Sequence, residues 1–235
     1  VFFRGFDVDD AGALAVAHHL QDLGECEILA VVHNTAFYKG IGGCDTIHEH
    51  YDSTDFPLGA YKGAWGSSSD AQNSQDGYTS SILSQYPNTV QNYDQVQGAV
   101  AAYREALSGA ANASVVIASI GELTNLRDIM SAEADLFEAK VKEIVFMDGS
   151  YNFGCGDSHG SGWSQWMGST EDCDGAAQFV VDNLPSSIKQ VFTLNGGDVL
   201  TGSRYTNSNG CGGGPVKTSF QLWTGVGGSR LVPPL

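Results

Sequence analysis

Three aspartates, Asp7, Asp9 and Asp10, crowd the segment Gly5–Leu14 (GFDVDDAGAL) where a run of helical hydrophobic spacing begins. Carboxylates this close repel one another unless a cation or protons neutralise them. Their hard oxygens suit calcium or magnesium better than zinc or copper. Acidic residues at a helix start also cap it and complement its dipole, which accounts for one or two of the three. The third stands among aromatic and aliphatic neighbours that suggest burial, and this favours a metal. The five cysteines form no CxxC pair and no ligand spacing with the six histidines, which argues against a structural zinc site. Their odd number leaves at least one thiol free. Cys155 and Cys173 sit in glycine-rich, turn-like surroundings that would suit a loop disulfide in an exported protein, or idle thiols in a cytosolic one. Asn112-Ala113-Ser114 is a glycosylation acceptor pattern compatible with secretion and frequent by chance.

The elements that must position these residues read as α/β. Short aliphatic runs at Glu27–His33, Ser114–Ser119, Lys142–Met147 and Lys189–Leu194 alternate with helical patterns at Asp10–Leu23, Gln95–Leu107 and Gly175–Asn183. The alternation predicts a mostly parallel, doubly wound sheet with helices on both faces. Three polar or glycine-rich stretches interrupt it, at 64–95, 149–170 and 202–215. The first is too poor in apolar residues for core and reads as an excursion over the surface. The other two follow predicted strands, where α/β folds bind their ligands.

The chain has 235 residues, enough for one well-filled core, and is read as a single domain. Lys and Arg number 11 against 27 Asp and Glu, a net charge of −16. Such a surface repels a phosphate backbone or an anionic membrane, so no nucleic-acid or membrane partner is expected. No stretch approaches the roughly 18 apolar residues needed to span a bilayer. The start at Val1 points to a removed leader or to a sequence that begins inside a longer protein. Cytoplasmic and secreted settings both remain open.

Several segments, in order, resemble the inosine-uridine preferring nucleoside hydrolases. VDDAGALAVAHHL (Val8–Leu20) is similar to that family's VDDA-x-AL helix start, and ILAVVHNTAF to its second strand, with Asn34 as the ligand-facing asparagine. FPLGAYKG (Phe56–Gly63), VVIASIGELTNL (Val115–Leu126, against the family's GPLTNL) and KVKEIVFMDGSY (Lys140–Tyr151) continue the likeness. GAAQFVVDNLP and VFTLNGGDVLTG follow in the family's order. The resemblance implies a hydrolase that cleaves the N-glycosidic bond of ribonucleosides with a calcium-bound water, through an oxocarbenium-like transition state. It implies Asp10 as chelating metal ligand, Asp9 on a ribose hydroxyl, the Ile120 carbonyl as backbone ligand, and Asn34 and Met147 lining the ribose site. It also implies a possible homo-oligomer. Read without the family, Asn34 is a turn asparagine and Met147 a core residue ending a strand, while Asn125 reads as a helix-start or packing residue.

The pattern breaks in places. Val1-Phe2-Phe3 stands where the family has Asp-x-Asp, and a phenylalanine neither ligates calcium nor accepts a proton. Asp7 is the possible substitute base and metal ligand. Asp148 enters a turn that the family keeps as Gly-Gly, SGWSQWMGSTEDCDG lacks its Glu-x-Asn, and no aspartate follows Asp198. The chain is therefore expected to be a divergent member, incomplete at its C-terminus and with impaired catalysis. A non-catalytic nucleoside- or sugar-binding homologue is the alternative. A haloacid-dehalogenase-type phosphatase is a third, since FDVDD imitates that superfamily's DxD and Ser119 follows a strand, but the required lysine and acidic pair are not in place.

Overall fold

Which side chains alternate on the short strands determines what lies on each face of the sheet. The computed structural model of the chain describes residues 8–53, 55–63, 78–147, 176, 179–180, 182–193 and 213–222. Strand β1 (Val31–His33) pairs in parallel with β2 (Leu58–Ala60), and β2 with β3 (Gln97–Gly98). Val31, Leu58 and Ala60 pack into one apolar cluster with Ile41, Cys44 and Ile47 of helix α2 (Gly40–His50). Gly59 faces the other way, against helix α4 (Ala99–Gly109), where a Cβ would come within 2.5 Å of the Ala102 methyl. Glycine there lets a helix dock tightly on that face. Helices thus cover both faces of this sheet, as the sequence pattern predicts.

The second sheet is β4-β5-β6, formed by Val115–Ser119, Val141–Met147 and Lys189–Thr193, again all parallel. Its core gathers Val115, Ile117, Ile144 and Phe146 with Leu126, Ile129 and Met130 of α5 (Thr124–Ala132) and Phe137 of α6 (Ala134–Lys140). Around the first cluster, α1 (Val8–Asp22) contributes Val8, Ala11 and Ala15, and Val216 and Phe220 come from a helix at Pro215–Leu222. Truncating a fully buried residue such as Ile47 or Ile129 to alanine costs about 2–5 kcal/mol in cores of this kind.

Three expectations are corrected in detail. The strand expected at Glu27–His33 is confined to Val31–His33, because β2 offers three pairing residues and the Ile28 N–H is taken by the Gln21 side chain at 2.7 Å. The helix expected from Gln95 starts at Ala99, since Gln97 and Gly98 pair with β2. The polar stretch 64–95 is not wholly an excursion. Residues 78–85 form helix α3, which buries Tyr78 and Ile82 in the first core, and Tyr86 Oη meets Thr218 Oγ1 at 2.6 Å. With α3 counted, Pro215–Leu222 is α7. A 3-10 turn at Tyr93–Gln95 ends the stretch, closed by reciprocal side-chain bonds of Asn92 and Gln95 to backbone N–H groups. Among the described residues no helix is long and apolar enough to cross a membrane.

The two sheets meet through the carboxyl ends of β1 and β4. The Asn34 amide donates to the Glu122 carbonyl at 3.0 Å, Thr124 Oγ1 donates to the Asn34 carbonyl at 2.9 Å, and Asn125 Nδ2 donates to the His33 carbonyl at 3.1 Å. Outward from this junction the strands run 1-2-3 and 4-5-6, the doubly wound arrangement in which ligands bind where the order reverses.

Candidate functional site

At the junction lies a cavity of about 100 Å³. Asp10 and Leu14 of α1 line it from one side, and Ser119, Ile120, Gly121 and Glu122 from the end of β4. His33, Asn34, Cys44 and Asn125 also face it. Gly121 is required by close approach, because any Cβ would overlap the Asn34 amide. The strand-to-helix turn and the asparagine are thereby locked together, which fixes the 121–122 backbone in the wall of the cavity that Asp10 also lines.

The chemistry of the lining is lopsided. None of the described lining residues is a lysine or arginine. Asn125 is 3% exposed, and after its amide bonds the His33 carbonyl its Oδ1 has no hydrogen-bond partner. His33 lies 3.0 Å through Nδ1 from the Thr35 carbonyl, so Nδ1 carries the proton. Its Nε2, buried without a partner, rests against Gly40 at the start of α2. Burial holds the His33 pKa down at about 4, so the ring is neutral at pH 7. Burial, then Asp10 and Asp45, push the Cys44 thiol well above its ordinary range, which keeps it protonated and unreactive. Burial likewise holds the Tyr103 hydroxyl at about 12.

Of the residues singled out from sequence, Asp10, Asn34 and Ile120 are brought to this one cavity. Met147 ends β5 as expected, with a side chain outside the described residues, as is that of Asp9. Asp7, Asp148, Cys155 and Cys173 lie outside them altogether. Asn125 does start a helix and does pack, and it also presents an unsatisfied acceptor to the cavity, which its helix-start role does not require. Among the described residues no three His, Cys, Asp or Glu side chains are grouped to hold a metal. Glu122 and His33 were missed as site residues. The available signal for Glu122 was its place in GELTNL, where the resembled motif GPLTNL has proline.

Two other recesses are larger, and the charged side chains that line them are bonded. One of about 370 Å³ opens at the amino ends of β2 and β3, where the Asp45 carboxylate accepts from Thr89 N at 2.7 Å and Val90 N at 2.8 Å. The other, of about 550 Å³, gathers Lys62, Arg104 and Arg127. There Arg104 is paired with Glu133 and Arg127 with Asp128, while Lys62 donates to the Val96 carbonyl.

The architecture can be set beside solved structures. The chain matches the type III effector protein XopQ complexed with adenosine diphosphate ribose, with a TM-score of 0.68 at 14% identity, over 94% of this chain. The fold is nucleoside hydrolase-like. This chain spans 62% of that structure's length. The sequence matches no protein-family model and no curated protein. The likeness therefore establishes fold, and the junction cavity falls where such a fold binds its ligand.

Proposed function

We propose that the cavity between β1 and β4 binds the ribose of a nucleoside-like ligand together with one calcium ion, and that the chain is a divergent N-ribohydrolase. The carrying observation is the acceptor-rich lining that joins Asp10, Asn34, Ile120 and the unbonded Asn125 Oδ1 without a lysine or arginine among the described residues. Buried acceptors left without donors are costly, and hydroxyl groups or a hard cation satisfy them. The donor set of carboxylate, backbone carbonyl and amide oxygen suits calcium. Bound there, calcium would polarise a water for attack on the anomeric carbon.

In this reading Asp10 is the chelating carboxylate and the Ile120 carbonyl the backbone ligand, with Asp7 a further ligand and the proton acceptor. Asp9 accepts from a ribose hydroxyl. Asn34, held by Glu122 and Gly121, orients the sugar, and Met147 at the end of β5 packs on it. A bound adenosine diphosphate ribose in the fold neighbour supports a ribose-bearing ligand. A second reading, ligand binding without hydrolysis, is favoured by Val1-Phe2-Phe3 in place of Asp-x-Asp.

The test is release of free ribose from a panel of ribonucleosides, with calcium and with EDTA. Calcium-dependent release that disappears in Asp10→Asn is the expected result. Saturable nucleoside binding without release would select the second reading, and neither binding nor release would remove both.

A further inference from the structure

We propose that the cavity of about 370 Å³ at the amino ends of β2 and β3 is a second ligand site, which takes an uncharged heteroaromatic molecule with an amide-like edge, such as a free nucleobase. It lies at the opposite end of the strands from the junction cavity and stands independently of the calcium reading. Its volume is within the range of small-molecule pockets, about 300–1,000 Å³. Phe56, Val90 and Val96 give it apolar walls. His48, in the last turn of α2, also lines it and is 1% exposed. Its Nδ1 is 2.7 Å from His18 Nε2, while its own Nε2, on the diverging side of the ring, has no hydrogen-bond partner. Ring nitrogens buried in this way are rare, because their lost hydration is not replaced.

Two carboxamides on the segment entering β3 narrow the chemistry of the ligand. Gln95 accepts the Gln91 N–H at 2.7 Å and the Asn92 N–H at 3.2 Å through Oε1, so its amide nitrogen is left to donate. Gln97 donates to the Glu105 carboxylate at 2.8 Å, so its Oε1 is left to accept. Both line the cavity. A donor beside an acceptor matches the edge of a lactam or aminopyrimidine ring, which carries N–H next to a carbonyl or ring nitrogen. A cation brings donors only and leaves the Gln95 amide unmet. An anion brings acceptors only, leaves Gln97 Oε1 unmet and shares the cavity with the Asp45 carboxylate. His48 suits the same edge whichever nitrogen of the His18–His48 bond holds the proton. Its Nε2 is then a lone donor or a lone acceptor, and the ring edge offers both.

The test is titration of uracil and of hypoxanthine into the nitrogen-15-labelled full chain, followed by two-dimensional NMR, with benzoate and benzylammonium as charged comparisons. Saturable shifts of the Thr89, Val90 and Gln97 amide signals with the two bases, and weaker ones with the two ions, are expected. His48→Phe, which keeps a ring in place and removes both nitrogens, should weaken base binding roughly tenfold, as loss of one buried hydrogen bond does. Gln97→Leu should weaken it by about threefold. No saturable shift with either base would overturn the proposal, as would unchanged affinity in His48→Phe. Shifts confined to Asn34 and Gly121 would also overturn it, while leaving the ribose-site reading of the junction cavity untouched. Equal binding of either ion would overturn the assignment of an uncharged ligand. If His48→Phe fails to fold, Gln97→Leu decides, and an affinity equal to that of the unmodified chain would contradict the proposal.

Discussion

Two acidic regions border helix α2 and differ in how their polar groups are bonded. At the amino ends of β2 and β3, Asp45 is 2% exposed and its carboxylate is taken by the N–H groups of Thr89 and Val90 and by the Thr89 hydroxyl. At the carboxyl ends of β1 and β4, Asp10 and Glu122 share a cavity whose nearby acceptors at Asn125 and His33 remain unbonded. The first carboxylate explains itself as architecture, because it anchors the turn after α3. The unbonded Asn125 oxygen at the second region has no such part in the architecture. A buried polar group that the fold saturates serves the fold, and one left short of donors indicates something the chain does not itself contain.

The largest expected effect sharpens the structural half of this contrast. Asp45→Ala strands buried N–H groups that were bonded to a charged acceptor, and should lower stability by about 3 kcal/mol or more in urea unfolding. Its calcium response should be unchanged. A loss below about 1 kcal/mol would mean that Asp45 is not the anchor it resembles.

A smaller effect comes from the α1/α2 interface, where His18 Nε2 and His48 Nδ1 lie 2.7 Å apart, with His18 stacked on Tyr51 and His48 edge-on to Phe56. Burial and the neighbouring His18 hold the His48 pKa down at about 3, and burial lowers His18 against the pull of Asp22. Both are lower than in the unfolded chain, which therefore binds more protons. Stability is full above about pH 6.5 and falls as the pH drops from there toward 3. Between pH 7 and 5 a histidine held down at about 3, as His48 is, removes about 2 kcal/mol. His48→Gln should flatten part of that slope, while His33, held at about 4, keeps its own share. An identical slope in the variant would show that His48 takes up its proton as readily in the folded protein as in the unfolded chain.

The α/β pattern was legible because strand and helix periods are local properties. Asp10, Asn34 and Ile120 were legible because they sit in short segments whose order along the chain can be compared with a known pattern. The helix at 78–85 was not, since its buried face is carried by Tyr78, Thr79 and Ile82, only two of them hydrophobic, within a polar stretch. Glu122 escaped for another reason. The glycine, leucine, threonine and asparagine around it match the resembled motif, and its burial in the wall of a cavity that Asp10 also lines is a property of the tertiary fold. The unbonded acceptor at Asn125 is a tertiary property with no trace in sequence spacing, because it follows from what the His33 carbonyl takes from its amide.

The most direct measurement is thermal unfolding of the unmodified chain and of Asp10→Asn, each in EDTA and in millimolar calcium. Ligand that binds the native state raises Tm by mass action. A calcium-dependent rise in the unmodified chain that disappears in Asp10→Asn is expected. An unmodified chain whose Tm is the same in calcium and EDTA would contradict a cation site at the β1/β4 junction.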